Sequence, residues 1–247
     1  MHQPLLTTEQ LQVLAAVDSP TIANVVELFG VRSPVAGFAN HTLRAVYPDL
    51  PPVVGYACTA TLRTSHPGEG RAASADMPHF IDGSLSVPEP RLAVIQDLDE
   101  PPRAATFGEV MVAGLQAFGF GGLVTNGAAR DVEQVRPMRF PCWASSYLVA
   151  HGFWHLEEVG VPVVVAGLRV RPGDLLHADA NGIVQIPGSV APAVAELCGP
   201  FLEAEKLVLD YLRAPGPTPS GFRQAVEQLR KRIADLQAQA QSHLPRC

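Results

Sequence analysis

Apolar positions along the chain follow two rhythms. Runs rich in β-branched and apolar residues predict strands at 53–64, 92–96, the stretch closing at Thr125, 140–144 and 161–170. Helical spacing marks 22–29, where Ile22, Val25, Val26 and Phe29 share a face, and 107–118, where Val110, Gly114 and Ala117 do. Further helices are expected at 11–17, 77–85, 132–138 and 190–212.

Punctuation supports these elements. Thr7-Thr8-Glu9-Gln10 reads as a capping box, and Ser19-Pro20 as an N-cap with proline in the first turn, closed by Gly30. Residues 31–52 look irregular and 65–75 loop-like. Arg171-Pro172-Gly173-Asp174 is a turn, and Asn181-Gly182, between alternating runs, predicts a hairpin. Residues 215–220 compose a linker. Beyond it, apolar residues at 222, 226, 229, 233 and 236 form a short coiled-coil seam, suited to docking within a homo-oligomer. The sum is a mixed α/β domain over 1–213 and a helical appendage over 214–247.

Composition narrows the function classes. The 247 residues are 47% apolar and 17% charged, with a net charge of −6, which fits a globular chain. There is no basic footprint for nucleic acid or an anionic membrane, so neither is expected as a partner. No apolar run reaches membrane-spanning length, and residues 1–12 lack a secretory signature, so a cytoplasmic location is expected. Cys58, Cys142, Cys198 and Cys247 are far apart and read as reduced thiols.

The stretch 121–137, GGLVTNGAARDVEQVRP, carries the candidate chemistry. An apolar strand ends at the turn dipeptide Asn126-Gly127 and delivers Arg130-Asp131 to a sheet edge. Arginine is a bidentate clamp for carboxylate, and aspartate is a hard oxygen ligand for Mg²⁺. The helix beginning at Gly108-Glu109 offers unsatisfied N–H groups for an anion. The 21-position step from Glu109 to Arg130 spans one helix and one strand, so the two places can meet. A plain surface ion pair beside a helix cap is the competing reading.

Other motifs weigh less. His151 and His155 lie at i, i+4 without the glutamate of a zinc helix, so loop or core packing is expected. His177 is read as a strand histidine in the core, with a supporting or subunit-contact role as the alternative. Asp174 and Asp179 are expected to satisfy backbone donors at turns. The glycines at 119–122 close a helix and open a strand, the reverse of a dinucleotide loop. Asp97, Asp99 and Glu100 are expected to form a solvated acidic turn.

The segments FGEV and GGLVTNGAARD, with VPVVVAGLRVRPGDLLHADANGIVQIP, resemble the RraA-like family over about residues 19–205. That family holds class II 4-hydroxy-4-methyl-2-oxoglutarate / 4-carboxy-4-hydroxy-2-oxoadipate aldolases and regulators of ribonuclease E activity. The resemblance implies a swivelling β/β/α domain, assembled as a homotrimer or homohexamer with sites at subunit interfaces. It implies that the backbone of Gly108, Glu109, Val110 and Met111 and the side chain of Arg130 bind a pyruvyl group. Asp131 would bind Mg²⁺ or Mn²⁺, and Glu109 would reach metal-bound water. A glutamate of a neighbouring subunit, Glu203 or Glu205, would complete the site.

The expected reaction is retro-aldol cleavage of a 4-hydroxy-2-oxo acid to pyruvate, with oxaloacetate decarboxylation through the same enolate. A cation in place of a Schiff base suits a chain whose lysines are Lys206 and Lys231. Asn126 stands where the family commonly has aspartate, Glu109 where some aldolases have aspartate, and Glu133 matches a further acid only loosely. These departures keep a non-catalytic regulator of a protein partner as the alternative.

Overall fold

A computed structural model describes residues 6–68 and 76–244. The residues at 69–75 of the expected loop, and Cys247, lie outside the described residues. The chain divides into two units, residues 35–185 and residues 1–34 with 186–247. The composition of 215–220 does not mark this division. Residues 214–247 fall in the same unit as the helix before them.

The 35–185 unit is organised by one sheet. Its strands are β1 (Arg44–Ala45), β2 (Val53–Arg63), β3 (Arg91–Asp97), β5 (Phe120–Thr125), β7 (Cys142–Ala144), β12 (Leu175–Asp179) and β13 (Gly182–Ile186). They lie in the order β1-β7-β5-β3-β2-β12-β13, and β9 (His155–Val159) pairs with the far end of β2. Strands β2, β3, β5 and β7 run parallel.

Alternate residues of the central strands feed two cores. Cys58, Ala60, Leu62, Ala93, Ile95 and Leu123 point to one, and Ala57, Leu92, Val94 and Val124 to the other. Burial on both faces is why these strands read as continuous apolar runs. The first face is covered by α3 (Met77–Ser84), α4 (Glu109–Ala117) and α5 (Val132–Val135), through Phe80, Ile81, Val112, Leu115 and Val135. The second is covered by the hairpin of β10 (Val163–Val165) and β11 (Leu168–Val170). Helix layer, sheet and hairpin layer together make the β/β/α arrangement.

Several expectations change. The apolar run 161–170 is a hairpin, because Ala166 and Gly167 both take positive φ, 46° and 79°, which turns the chain in two residues. The helix expected from Phe107 starts at Glu109, because Ala105–Phe107 pairs as strand β4. That strand, β6 (Ala128–Ala129) and β8 (Ser146–Tyr147) form a separate three-stranded parallel sheet too short for a sequence pattern to announce. Gly121 and Gly122 lie inside β5. A Cβ on Gly122 would meet the Pro141 carbonyl at 3.0 Å and Leu92 at 3.2 Å.

In the other unit, α1 (Thr8–Ala15) has the expected reciprocal capping box between Thr7 and Gln10. Helix α2 (Ser19–Leu28) is capped one residue earlier than expected, by Asp18, whose carboxylate accepts from Thr21 N–H at 2.8 Å. Helices α6 (Ala191–Arg213) and α7 (Pro219–Ser242) pack together. The Tyr211 hydroxyl accepts from Thr218 N–H at 2.9 Å and holds the connection. The seam side chains Val226, Leu229, Ile233 and Leu236 are half-buried, and Phe222 is exposed. No helix among the described residues is long and apolar enough to cross a membrane.

Candidate functional site

The three short parallel strands end on one side with their following residues together. Gly108 follows β4, and Arg130-Asp131 follows β6. The Arg130 N–H donates to the Phe107 carbonyl at 3.0 Å, locking the two strand ends together. Asp131 then turns sharply, with φ 56°, into α5. A left-handed aspartate costs on the order of 1 kcal/mol, and such local strain clusters at functional sites.

That turn aims the Asp131 carboxylate at the start of α4. Its Oδ2 accepts from Glu109 N–H at 3.0 Å and lies 3.7 Å from Arg130 Nε. Gly108, the N-cap, brings no side chain of its own. A Cβ there would run into the Asp131 carboxylate and come within 3.0 Å of Arg130 Nε. The glycine is therefore needed for close approach, since its φ of −153° is open to any residue. One of the helix's first donors is thus taken by Asp131. The N–H groups of Val110 and Met111 precede the first intrahelical bond, Val112 N–H to the Gly108 carbonyl.

A cavity of about 270 Å³ opens beside this junction. Its wall includes Gly108, Val110, Met111 and Arg130 from the expected site, with Thr106, Phe107, Met77 and Trp154. Glu109 and Asp131 belong to the junction but do not line the cavity. Val110, Met111 and Gly114 of α4 line the cavity, while Val112 and Leu115 bury against the sheet and Met111 reaches both. His151 also lines the cavity, from the loop after β8, and His155 is buried on β9 with Nδ1 2.7 Å from the Phe153 carbonyl. The two histidines are therefore not on one helix. Among the described residues no cluster of three or more His, Cys, Asp or Glu forms a metal site.

Mg²⁺ commonly takes one or two protein carboxylates and fills its other positions with water and substrate oxygens. Asp131, with Oδ2 shared with a helix N-terminus and its side chain only about a third exposed, fits that sparse donor set. Glu133 pairs at the surface with Arg136 at 3.7 Å. Glu203 pairs with Lys206, and the Glu205 carboxyl is raised by partial burial and by Asp18. No lysine occurs between residues 35 and 185, so this unit offers no amine for a Schiff base.

The acidic residues at the end of β3 correct the sequence reading in part, for Glu100 is exposed as expected. Asp97 and Asp99 are buried, because side-chain and backbone donors replace water around them. Asp99 accepts from Thr64 N–H at 2.8 Å, from Ser65 N–H at 2.9 Å and from the Ser65 hydroxyl at 2.7 Å. Burial works against its charge, and these bonds overcome it and hold the carboxyl below its ordinary range. Asp97 has fewer donors, Asp99 N–H at 2.9 Å and the Thr106 hydroxyl at 3.4 Å. Burial pushes its carboxyl up to about 6.

Asn126 joins the same cluster. Its amide oxygen accepts from Asp97 N–H at 2.9 Å and its Nδ2 donates to the Asp97 carbonyl at 2.8 Å. An aspartate could accept but not donate here, and would add charge beside a buried carboxyl. The chain bends at Asn126-Gly127 between β5 and β6, but neither residue takes positive φ, so the bend does not use the left-handed backbone that the dipeptide permits. The glycine serves contact instead, since Thr106 and Asp97 lie against its Cα.

The Asp97 arrangement sets a pH dependence. The folded chain binds this proton more tightly than the unfolded chain does. Stability from this group is therefore greatest below about pH 4 and falls as pH rises toward about 6. The melting temperature of Asp97→Asn minus that of the wild type should grow between pH 4.5 and 7 and level off above. A difference independent of pH would contradict the assignment.

A family model described as RraA-like, Aldolase/RraA, matches residues 22–185. The chain belongs to the RraA-like family. A relative in Xanthomonas campestris pv. campestris strain B100, named "Putative 4-hydroxy-4-methyl-2-oxoglutarate aldolase", is 32% identical over 136 residues, 55% of this chain and 68% of that protein. One of the same name in Halalkalibacterium halodurans is 30% identical over 84 residues, 34% of this chain and 40% of its own length. An uncharacterized protein of Methanocaldococcus jannaschii is 30% identical over 109 residues, 44% of this chain and 52% of its own. The chain thus spans about half the length of these first curated relatives.

Solved structures agree on the RraA-like fold. An uncharacterized protein from Pseudomonas syringae pv. tomato matches with TM-score 0.73 at 20% identity, over 92% of this chain and 97% of that one. Streptomyces coelicolor RraAS2, described as an unusual member of the RNase ES inhibitor RraA protein family, matches with TM-score 0.65 at 22% identity, over 83% and 97%. At such identities the likeness concerns fold alone.

Proposed function

We propose that this RraA-like chain is a carbon–carbon lyase that releases pyruvate from a 4-hydroxy-2-oxo acid. The observation that supports this most is the meeting of Arg130, Asp131 and the start of α4 at the edge of one cavity. Arg130 offers its guanidinium fork to the substrate carboxylate, and the N–H groups of Val110 and Met111 add fixed donors. Phe107, Met77 and Trp154 keep water from the bound acid. Asp131 would hold a divalent cation, whose Lewis acidity would offset negative charge developing on the 2-oxo group. His151 is the cavity-wall imidazole, able to accept or donate a proton. Oxaloacetate decarboxylation would pass through the same enolate.

The test is pyruvate release, followed through lactate dehydrogenase, over a panel of 4-hydroxy-2-oxo acids and oxaloacetate with Mg²⁺ or Mn²⁺. Turnover that disappears with a chelator and returns with the metal is the expected result. A panel with no pyruvate from any acid would overturn the lyase reading.

That outcome would favour a regulator that binds a protein partner. The exposure of Val110, Tyr147 and Val149, at 86%, 60% and 94%, supports this second reading. A stable complex without turnover would be its signature.

A further inference from the structure

The segment that opens on Asp131 is bracketed by left-handed backbone. Residues 132–138 form α5 and a short 3₁₀ turn (Arg136–Met138), and the flanking Asp131 and Arg139 have φ of 56° and 50°. Neither is glycine, so both ends are strained. One turn of α-helix does not hold itself, because its few bonds do not offset the ordering of its residues. Such a backbone persists where contacts from outside over-determine it.

Two side chains from elsewhere donate to carbonyls of this segment. Gln116 of α4 donates through Nε2 to the Met138 carbonyl at 3.1 Å, at the end away from Asp131. The Tyr47 hydroxyl donates to the Val132 carbonyl at 2.8 Å, immediately beside Asp131. Tyr47 stands 85 positions earlier in the chain, just after β1. The neighbouring Val46 N–H donates to the Cys142 carbonyl of β7 at 2.8 Å, so the tyrosine departs from the sheet itself. Its ring is buried in the core shared with Val112, Leu115 and Val135. The Arg136 guanidinium lies over that ring, 5.3 Å from its centroid. Burial pushes the hydroxyl up to about 12, so it stays a proton donor through the neutral range.

The Val132 carbonyl also accepts from Arg136 N–H, the closing bond of α5. Tyr47 thus ties down the peptide group that follows the strained residue. Any rotation at that turn swings the Asp131 carboxylate away from Glu109 N–H.

We propose that Tyr47 is a positioning residue for Asp131: its hydroxyl fixes the Val132 carbonyl and so aims the Asp131 carboxylate at the start of α4 and at the cation. The proposal rests on the reading of Asp131 as the cation's ligand and adds the group that orients it. Partners that orient a metal ligand in this way govern about ten- to a hundredfold in metal affinity or activity.

Tyr47→Phe keeps the ring and its packing and removes only the hydroxyl. Exchange of the Glu109 amide with deuterated water, followed by NMR on the full chain without metal, reports whether Asp131 keeps its bond there. It should speed up by about five- to tenfold, the worth of one hydrogen bond. Affinity for Mn²⁺, titrated through its EPR signal, should fall by about ten- to a hundredfold. At saturating metal, kcat for pyruvate release should fall by about tenfold. KM for the oxo acid should stay within about twofold, because Arg130 keeps its own bond to the Phe107 carbonyl. Gln116→Ala frees the other end of the segment and should leave exchange, affinity and kcat within about twofold.

Unchanged Glu109 exchange in Tyr47→Phe would overturn the proposal. So would equal losses in Gln116→Ala, which would mark a general loosening of the segment. A wild type that takes up no Mn²⁺, with the exchange effect of Tyr47→Phe present, would remove the cation reading and leave Tyr47 as the anchor of Asp131.

Discussion

Gly127→Ala is expected to lower the stability of the chain by about 3 kcal/mol, the upper part of the range for overpacking a filled interior. The added methyl would overlap the Thr106 hydroxyl and sit 2.7 Å from Asp97 Oδ2 and 2.9 Å from Asp97 Cβ. None of these atoms has room to retreat. Thr106 lies in β4, Asp97 ends β3, and both are buried. Asp97 is further tied through its backbone to Asn126. Gly114→Ala is the control, because a Cβ there meets nothing within 4 Å and the position is helical. That change should stabilise by roughly 0.5–1 kcal/mol. Urea unfolding of the two variants gives the comparison. If Gly127→Ala proved as benign as Gly114→Ala, the close approach of β3, β4 and the 126–127 segment would be wrong.

The second large effect concerns Arg130 and Asp131. Arg130→Ala should reduce pyruvate release by roughly 10²–10³-fold, the cost of removing one preorganised donor from a developing anion. Arg130→Lys should recover only part of it, because an ammonium lacks the planar fork. Asp131→Asn separates two roles of one side chain. The amide oxygen can still accept from Glu109 N–H, so the start of α4 should keep its cap and the melting temperature should change little. The charge is lost, so metal-dependent turnover should fall by at least about 10²-fold if Asp131 holds the cation. Wild-type turnover in either Arg130→Ala or Asp131→Asn would refute the proposed role of that residue. A large loss of stability in Asp131→Asn would show that the charge, and not only the hydrogen bond, secures the junction.

Much of the molecule was legible before folding was considered. Both-face burial made β2, β3 and β5 nearly uniform in apolar character, so period and composition marked them. Caps at Thr7, the stop at Gly30 and the turn at 171–174 are local chemistry, and local chemistry is written in neighbouring residues. The juxtaposition of 108–111 with 130–131 was also accessible, because one helix and one strand must return the chain close to its starting edge.

Tertiary structure decided the rest. Strands of two or three residues, as in β4, β6 and β8, carry no periodicity, and they exist because each is paired to the next. The division of the 161–170 run depended on two positive φ values that valines on either side do not foretell. Asp97 and Asp99 looked like a solvated turn because acidic residues beside prolines usually are one. Their burial depends on donors from Thr64, Ser65 and Thr106, and that proximity exists only in the fold. The sequence by itself determined the family, the long central strands and the approach of 108–111 to 130–131. The three-dimensional packing decided which donors remain for a ligand, which glycines are there for contact, and that the cavity beside Arg130 is walled by apolar side chains. Those outcomes depend on distances between segments far apart in the chain, which no local pattern encodes.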